Sequence, residues 1–270
     1  MTAKRERYLE EMGLAPLWRL RARTKASEEP AVRPAAEPAA AEPAPPSARR
    51  KAEIPGPQPG LVAGMKFDLA DERAVSILRM EWPELKATVE GCRACALHKA
   101  RTKTVFGVGD EQADWLLVGE APGAEEDARG EPFVGQAGRL LDNMLAAVGL
   151  KRGDNVYICN VLKCRPPGNR NPEPFEMAQC TPHLLRQLDL IKPRLILALG
   201  RIAVHSLLDT EASIASLRGK LHRYRGVPLI VTYHPAYLLR NLPDKAKAWE
   251  DLCFARRTMA SLQSAATSPT

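Results

Sequence analysis

No stretch of the 270-residue chain is apolar for long enough to span a membrane. Its first residues, MTAKRERYLEEMG, mix acidic and basic side chains where a signal peptide needs a continuous apolar run. A cytoplasmic protein with no membrane partner is therefore expected. In that reducing compartment the six cysteines are poor candidates for structural disulfides, so their spacing is read first as metal chemistry. The glycine signatures of common nucleotide sites are missing too: G-x-G-x-x-G does not occur, and no G-K-S/T follows a glycine loop. No internal repeat is evident.

What is present is 45% hydrophobic residues, enough for a real core, and a formal net charge of +7. An excess of cations favours a polyanion through counterion release, although a solvated basic surface carries the same charge. Composition divides the chain. Residues 1–25 form a short segment in which Tyr8, Leu9, Met12, Leu17, Trp18 and Leu20 alternate with charges; it reads as a partner-binding peptide that folds on contact, or as a frayed helix. Residues 26–62 are an Ala/Pro-rich run read as a disordered linker. A folded domain is expected over 63–265, with a tail over 266–270.

Within that domain four short apolar runs read as buried parallel strands: Trp115 to Val118, Val156 to Cys159, Leu195 to Leu199 and Leu229 to Thr232. Helix-like stretches lie between them, at Gly138 to Val148, Pro174 to Leu190 and Ile202 to Leu208. This order predicts an α/β fold, a three-layer sandwich whose central four-stranded parallel sheet is flanked by helices, behind a disordered N-terminal extension. In open sheets of this kind, ligands bind beyond the carboxyl ends of the strands. The residues there are Gly119-Glu120, Asn160, Gly200-Arg201 and His234, a convergence expected of a site.

Cys92 and Cys95 form a C-x-x-C pair, and Cys164 and Cys180 follow much later. Together they have the makings of a four-sulfur site for zinc or for an iron–sulfur cluster, and the spacing does not choose between the two. Cys159 and Cys253 read as buried free thiols. The segment Val118 to Gly138, VGEAPGAEEDARGEPFVGQAG, leaves a strand and enters a helix, a setting that turns backbone N–H groups toward an anionic or carbonyl-rich ligand.

The runs GEAPGAEEDARGEPFVGQAG, NVLKCRPPGNRNP and YHPAYLLR, with the four spaced cysteines, closely resemble the type-4 uracil-DNA glycosylases of the uracil-DNA glycosylase superfamily, over roughly 83–261. The resemblance implies a 4Fe–4S cluster on Cys92, Cys95, Cys164 and Cys180, with zinc the less favoured metal. It also implies a uracil pocket made by Glu120, Phe133, Asn160 and His234, bordered by Gly119, Pro122, Gly123 and Glu126. In such a site Phe133 stacks on the extruded base, the Asn160 amide matches N3–H and O4, and His234 donates to O2 of the departing uracil. Glu126 is expected near the C5 edge, and Glu120 near the attacking water or the sugar cation. A better-known branch has an aspartate for that water where this chain has Ala121-Pro122.

The DNA-facing residues are expected in the loop of Arg165, Asn169, Arg170 and Asn171, in Arg201, and in YHPAYLLR. There Leu238 or Leu239 would fill the gap left by the base and Arg240 would hold the backbone. A second basic cluster, Arg218, Lys220, His222, Arg223 and Arg225, reads either as phosphate-tracking or as a solvated loop. The expected function is excision of uracil from single- or double-stranded DNA by a monomer, and the resemblance makes a replication or repair protein the expected partner of residues 1–25. The competing readings are a uracil sensor that traps DNA without turnover, disfavoured because no KRRIH-like insertion is present, and a zinc-stapled nucleic-acid-binding domain.

Overall fold

The computed structural model describes residues 71–267, so the proposed partner peptide at 1–25 and linker at 26–62 lie outside the described residues. The chain opens with two short helices, α1 (Glu72–Ile77) and α2 (Trp82–Glu90), and a 3-10 turn (Ala96–Lys99). Then come β1 (Val108–Gly109), β2 (Trp115–Gly119), α3 (Ala124–Arg129), α4 (Gln136–Ala147) and β3 (Val156–Asn160). A second 3-10 turn (Pro167–Asn169) precedes α5 (Pro174–Ile191), β4 (Leu195–Leu199), α6 (Arg201–Leu208) and α7 (Ile214–Leu217). The sheet is completed by β5 (His222–Tyr224) and β6 (Val227–Thr232), and the described chain ends with α8 (Pro235–Arg240) and α9 (Asp244–Thr267). None of these helices is long and apolar enough to cross a membrane.

The sheet has six strands in the order β1-β3-β2-β4-β6-β5, rather than the four expected. The four expected strands form its parallel centre, and every residue of each is buried, which is why they read as unbroken apolar runs. The two additions pair antiparallel at the edges. They escape a reading by hydrophobicity because β1 is two residues long and β5 is His-Arg-Tyr, of which only Tyr224 is buried.

Successive parallel strands first step one way across the sheet and then the other, since β3 and β4 both pair with β2. Right-handed crossovers then place α4 on one face and α5 with α6 on the opposite face. The chain leaves the adjacent strands β2 and β4 in opposite directions, which makes their carboxyl edge the switch point where open sheets form a ligand crevice. Helix α8 packs on α4, and α1 and α2 pack on α5. The main core runs through both faces of the sheet, and a smaller apolar cluster of Cys95, Leu97, Leu162, Cys164 and Cys180 sits apart from it.

Candidate active site and cysteine pocket

Strands β2 and β3 end in register, with Gly119 opposite Asn160, and their pairing continues through Val161 N–H to Gly119 O and Leu162 N–H to Glu120 O (both 3.0 Å). A β-carbon on Gly119 would collide with Asn160 Oδ1 and with the Phe133 ring. Glycine therefore lets an amide and an aromatic ring meet at the end of a central strand. Asn160 is 2% exposed, yet its side-chain oxygen has no hydrogen-bond partner among the described residues. A buried acceptor left unpaired costs roughly 1–3 kcal/mol, so this atom marks a place where a donor is expected to arrive.

Phe133 is 5% exposed, and its ring stacks on His234 with centroids 5.4 Å apart and an interplanar angle of 29°. His234 caps the N-terminus of α8, its Nδ1 accepting from Ala236 N–H at 3.1 Å. With Nδ1 an acceptor, the proton of the neutral ring lies on Nε2. Burial pushes the pKa of His234 down to about 4; Glu126 opposes the shift and Arg240 adds to it. The imidazole is thus a neutral donor at physiological pH. Gly200, at φ +87°, lies against it so closely that a β-carbon would overlap His234 Cβ.

Across the crevice Glu120 has its pKa raised by burial, with Arg201 pulling it back down. Pro122 is buried beneath the loop, and Gly123 begins α3. Glu126, expected at the C5 edge of a base, is used differently. Its carboxylate accepts from the backbone N–H groups of Gly123 (3.1 Å), Val134 (3.1 Å) and Gly135 (3.4 Å), clamping both ends of the loop that carries Phe133. It shapes the pocket through the loop instead of presenting a free carboxylate.

The expected DNA-facing residues divide sharply. Arg201 and Arg240 are exposed, and neither forms an ion pair among the described residues. Arg165 donates to Asn169 Oδ1 at 2.7 Å, so those two form one polar corner. Arg170 is exposed but is not a free cation: its guanidinium grips the buried Glu176 carboxylate at 2.6 and 2.9 Å and also Glu173, fixing the start of α5. Leu238 is 1% exposed and belongs to the core, so it cannot enter a base stack; the solvent-facing leucine is Leu239, at 38%.

The second basic cluster is likewise committed within the fold. Arg218 pairs with Asp251 and Glu250, Arg225 pairs with Asp189, and Lys220, His222 and Arg223 bond to backbone carbonyls. Arg223 and Arg225 also lie toward the β5–β6 turn, at the amino end of β6 and away from the crevice. The pattern RxxxxRxR shows the charges but not the carboxylates they meet from α5 and α9.

Cys92, Cys95, Cys164 and Cys180 line one small enclosed pocket together with His98, Arg101, Lys163 and His183. Among the described residues no trio of metal-binding side chains is gathered tightly enough to grip a single ion. Burial raises the thiol pKa of Cys95 and Cys164, and pushes Cys180 up to about 12. Arg101 counters this at Cys164 by donating to its Sγ at 3.0 Å, and Arg73 donates to Cys92 Sγ at 3.5 Å. Four soft donors with cationic hydrogen bonds fit a thiolate-ligated metal group. Cys159, buried in β3, and Cys253, half-buried in α9, are free thiols outside this pocket.

Several residues of this pocket carried no expectation from sequence. Lys163 is buried and donates from Nζ to Asn160 O and Gln187 Oε1, both at 2.7 Å, joining the cysteine pocket to the strand end that carries the orphan amide. Its position beside Cys164 was the only hint. Arg73 and His183 arrive from α1 and α5, and no motif marks either.

The residues that build this sheet, with the amide, the neutral imidazole and the aromatic ring at its carboxyl edge, fall within the span of a known family model. The Uracil DNA glycosylase superfamily model aligns with residues 106–253, and the chain belongs to that superfamily. Within it the chain groups with the type-4 branch. It is 50% identical over 159 residues to the type-4 uracil-DNA glycosylase of Archaeoglobus fulgidus, covering 56% of this chain and 79% of that one. It is 48% identical over 161 residues to the Thermotoga maritima enzyme of the same name, covering 59% and 83%. To that of Pyrobaculum aerophilum it is 41% identical over 181 residues, covering 64% and 92%.

Proposed function

We propose that the protein is a DNA-repair glycosylase that hydrolyses the N-glycosidic bond of uracil in DNA. The observation that carries this reading is the unpartnered Asn160 Oδ1, a buried acceptor at a strand end beside the neutral donor His234. A base must leave the duplex to be processed and is then read on its Watson–Crick edge. Uracil offers N3–H to Asn160 Oδ1 and O4 to Asn160 Nδ2. Cytosine offers the reverse pattern and would leave buried groups unpaired. Phe133 provides the stacking surface.

As the glycosidic bond lengthens, negative charge grows on the base and positive charge on the sugar. His234 Nε2–H donates toward O2 and stabilises the departing anion without transferring its proton, because the ring is neutral and a weak acid. Glu120, with Ala121-Pro122 beside it where another branch has an aspartate, is the group placed to stabilise the sugar cation or orient water. Exposed Arg201 and Arg240, with the half-buried Arg165, track phosphates, and Leu239 fills the vacated position.

Cys92, Cys95, Cys164 and Cys180 would hold a 4Fe–4S cluster, the donor set being four thiols supported by Arg73 and Arg101. When bound, the cluster cross-links the segment after α2, the segment after β3 and α5, with no part in bond cleavage. Colourless protein with stoichiometric zinc would replace this assignment. Base release from matched single- and double-stranded oligonucleotides, by wild type beside Asn160→Ala and His234→Ala, tests the activity. Wild-type protein that leaves no alkali-sensitive abasic sites would overturn it, and a denaturation-resistant protein–DNA adduct would favour the sensor reading.

A further inference from the structure

Phe133 sits at φ +55°, in the left-handed region that a bulky side chain seldom occupies. Its ring can reach Gly119 and His234 only if something holds that backbone in place. Two features do so. Gly138, in the first turn of α4, lets the Phe133 carbonyl approach the helix, where any β-carbon would collide with it. Arg152, from the segment between α4 and β3, donates from Nη1 to Pro132 O at 2.8 Å and from Nη2 to Phe133 O at 2.9 Å. The guanidinium is itself anchored through Nε to Asp142 Oδ1 on α4, at 3.0 Å. A planar fork with fixed donors suits two successive carbonyls, which a lysine ammonium cannot reproduce.

We propose that Arg152 is a positioning residue that latches Phe133 in its left-handed conformation so that the ring is preset to stack on the extruded base. The proposal rests on the uracil-excision reading, but it concerns a residue outside the base pocket. Without the latch, Phe133 relaxes toward ordinary backbone conformations and the stacking surface becomes a minor population. A latch also differs from a stability contact in where its effect appears: it acts only through Phe133.

The test is a double-mutant cycle on single-turnover uracil release, with inhibition by free uracil measured alongside. Arg152→Ala is expected to lower kcat/KM roughly tenfold, the population factor of one disfavoured left-handed residue, and to weaken free-uracil inhibition by a similar factor. In a Phe133→Ala background the same substitution should cost no more than about twofold, since the group it acts on is gone. Arg152→Lys, serving one carbonyl, should fall between. Should Arg152→Ala fail to fold, Asp142→Asn, which loosens the guanidinium from the exposed side of α4, carries the same cycle. Losses that multiply in the double variant, or free-uracil inhibition unchanged by every Arg152 and Asp142 substitution, would overturn the latch. Wild-type protein that releases no uracil would instead overturn the functional reading beneath it.

Discussion

The base pocket and the cysteine pocket lie three residues apart along the chain, between Asn160 and Cys164, and they share an unusual pair of features. Each holds an imidazole kept neutral by burial: His234 with a pKa of about 4 and His183 with a pKa of about 3. Each also has a buried polar atom without a partner among the described residues. In the base pocket it is an acceptor, Asn160 Oδ1. In the cysteine pocket it is a donor, because His183 Nε2 lies 3.2 Å from Arg73 Nη2, which can only donate, so the ring proton sits on Nδ1. The surroundings differ. The base pocket is built on the ends of fully buried strands that stand without it. The cysteine pocket joins segments outside the sheet, with its own small apolar cluster.

The contrast is broken most severely at Cys164. Cys164→Ala removes one proposed ligand and leaves Arg101 without its sulfur, and it should destabilise the domain by several kcal/mol out of a total of about 5–15, with loss of metal. Thermal melting and metal analysis check this; a normal melt with full metal content would separate Cys164 from the other three. Asn160→Ala should do the opposite: uracil release falls by about a hundred- to thousandfold while the melting temperature holds or rises, because an unpaired buried acceptor has been removed.

A smaller difference separates neighbours. Leu238→Ala, in the core, should lose about 2–5 kcal/mol of stability, whereas Leu239→Ala should stay within about 0.5 kcal/mol and slow excision more in duplex than in single strands. Denaturant titration beside both substrates distinguishes them.

Acid should weaken both pockets over nearly the same window. The two imidazoles titrate lower in the folded protein than their ordinary value of 6.5, so the unfolded chain takes up more protons. Stability is therefore fully present above about pH 6.5 and declines as pH falls toward 4. His234→Asn should flatten part of that slope in melts run from pH 7 to pH 4. The smallest effect concerns salt: Arg201→Ala and Arg240→Ala should each reduce the slope of log affinity against log salt by about one, and Arg225→Ala, already paired with Asp189, should not change it.

Much of this was legible in sequence because the informative residues are tied to strand ends. Four apolar runs mark the parallel strands, and Glu120, Asn160, Arg201 and His234 lie at or just past their carboxyl ends, on one edge of the sheet. Less visible was what tertiary partners do to individual charges. Arg170, Arg218 and Arg225 look like free cations until α5 and α9 bring Glu176, Asp251 and Asp189 to them. Leu238 and Leu239 are adjacent and chemically alike, and only the rotation of a six-residue helix buries one and exposes the other. Glu126 reads as a loop residue but lies in the first turn of α3, and its three backbone bonds depend on how the following loop folds back on that helix.

The fully buried strands that carry the pocket have a consequence for the nucleic acid. Gly119 and Asn160 are locked in register on neighbouring central strands, so this wall of the pocket has little freedom to reshape itself around a base still in its stack. The deformation falls on the substrate, and the opening of the helix becomes the gate. Lesions whose pairing is already weak should then be served first, single strands ahead of uracil opposite guanine, and that ahead of uracil opposite adenine. In this way the stiffness of a β-sheet would set the order in which damage is repaired.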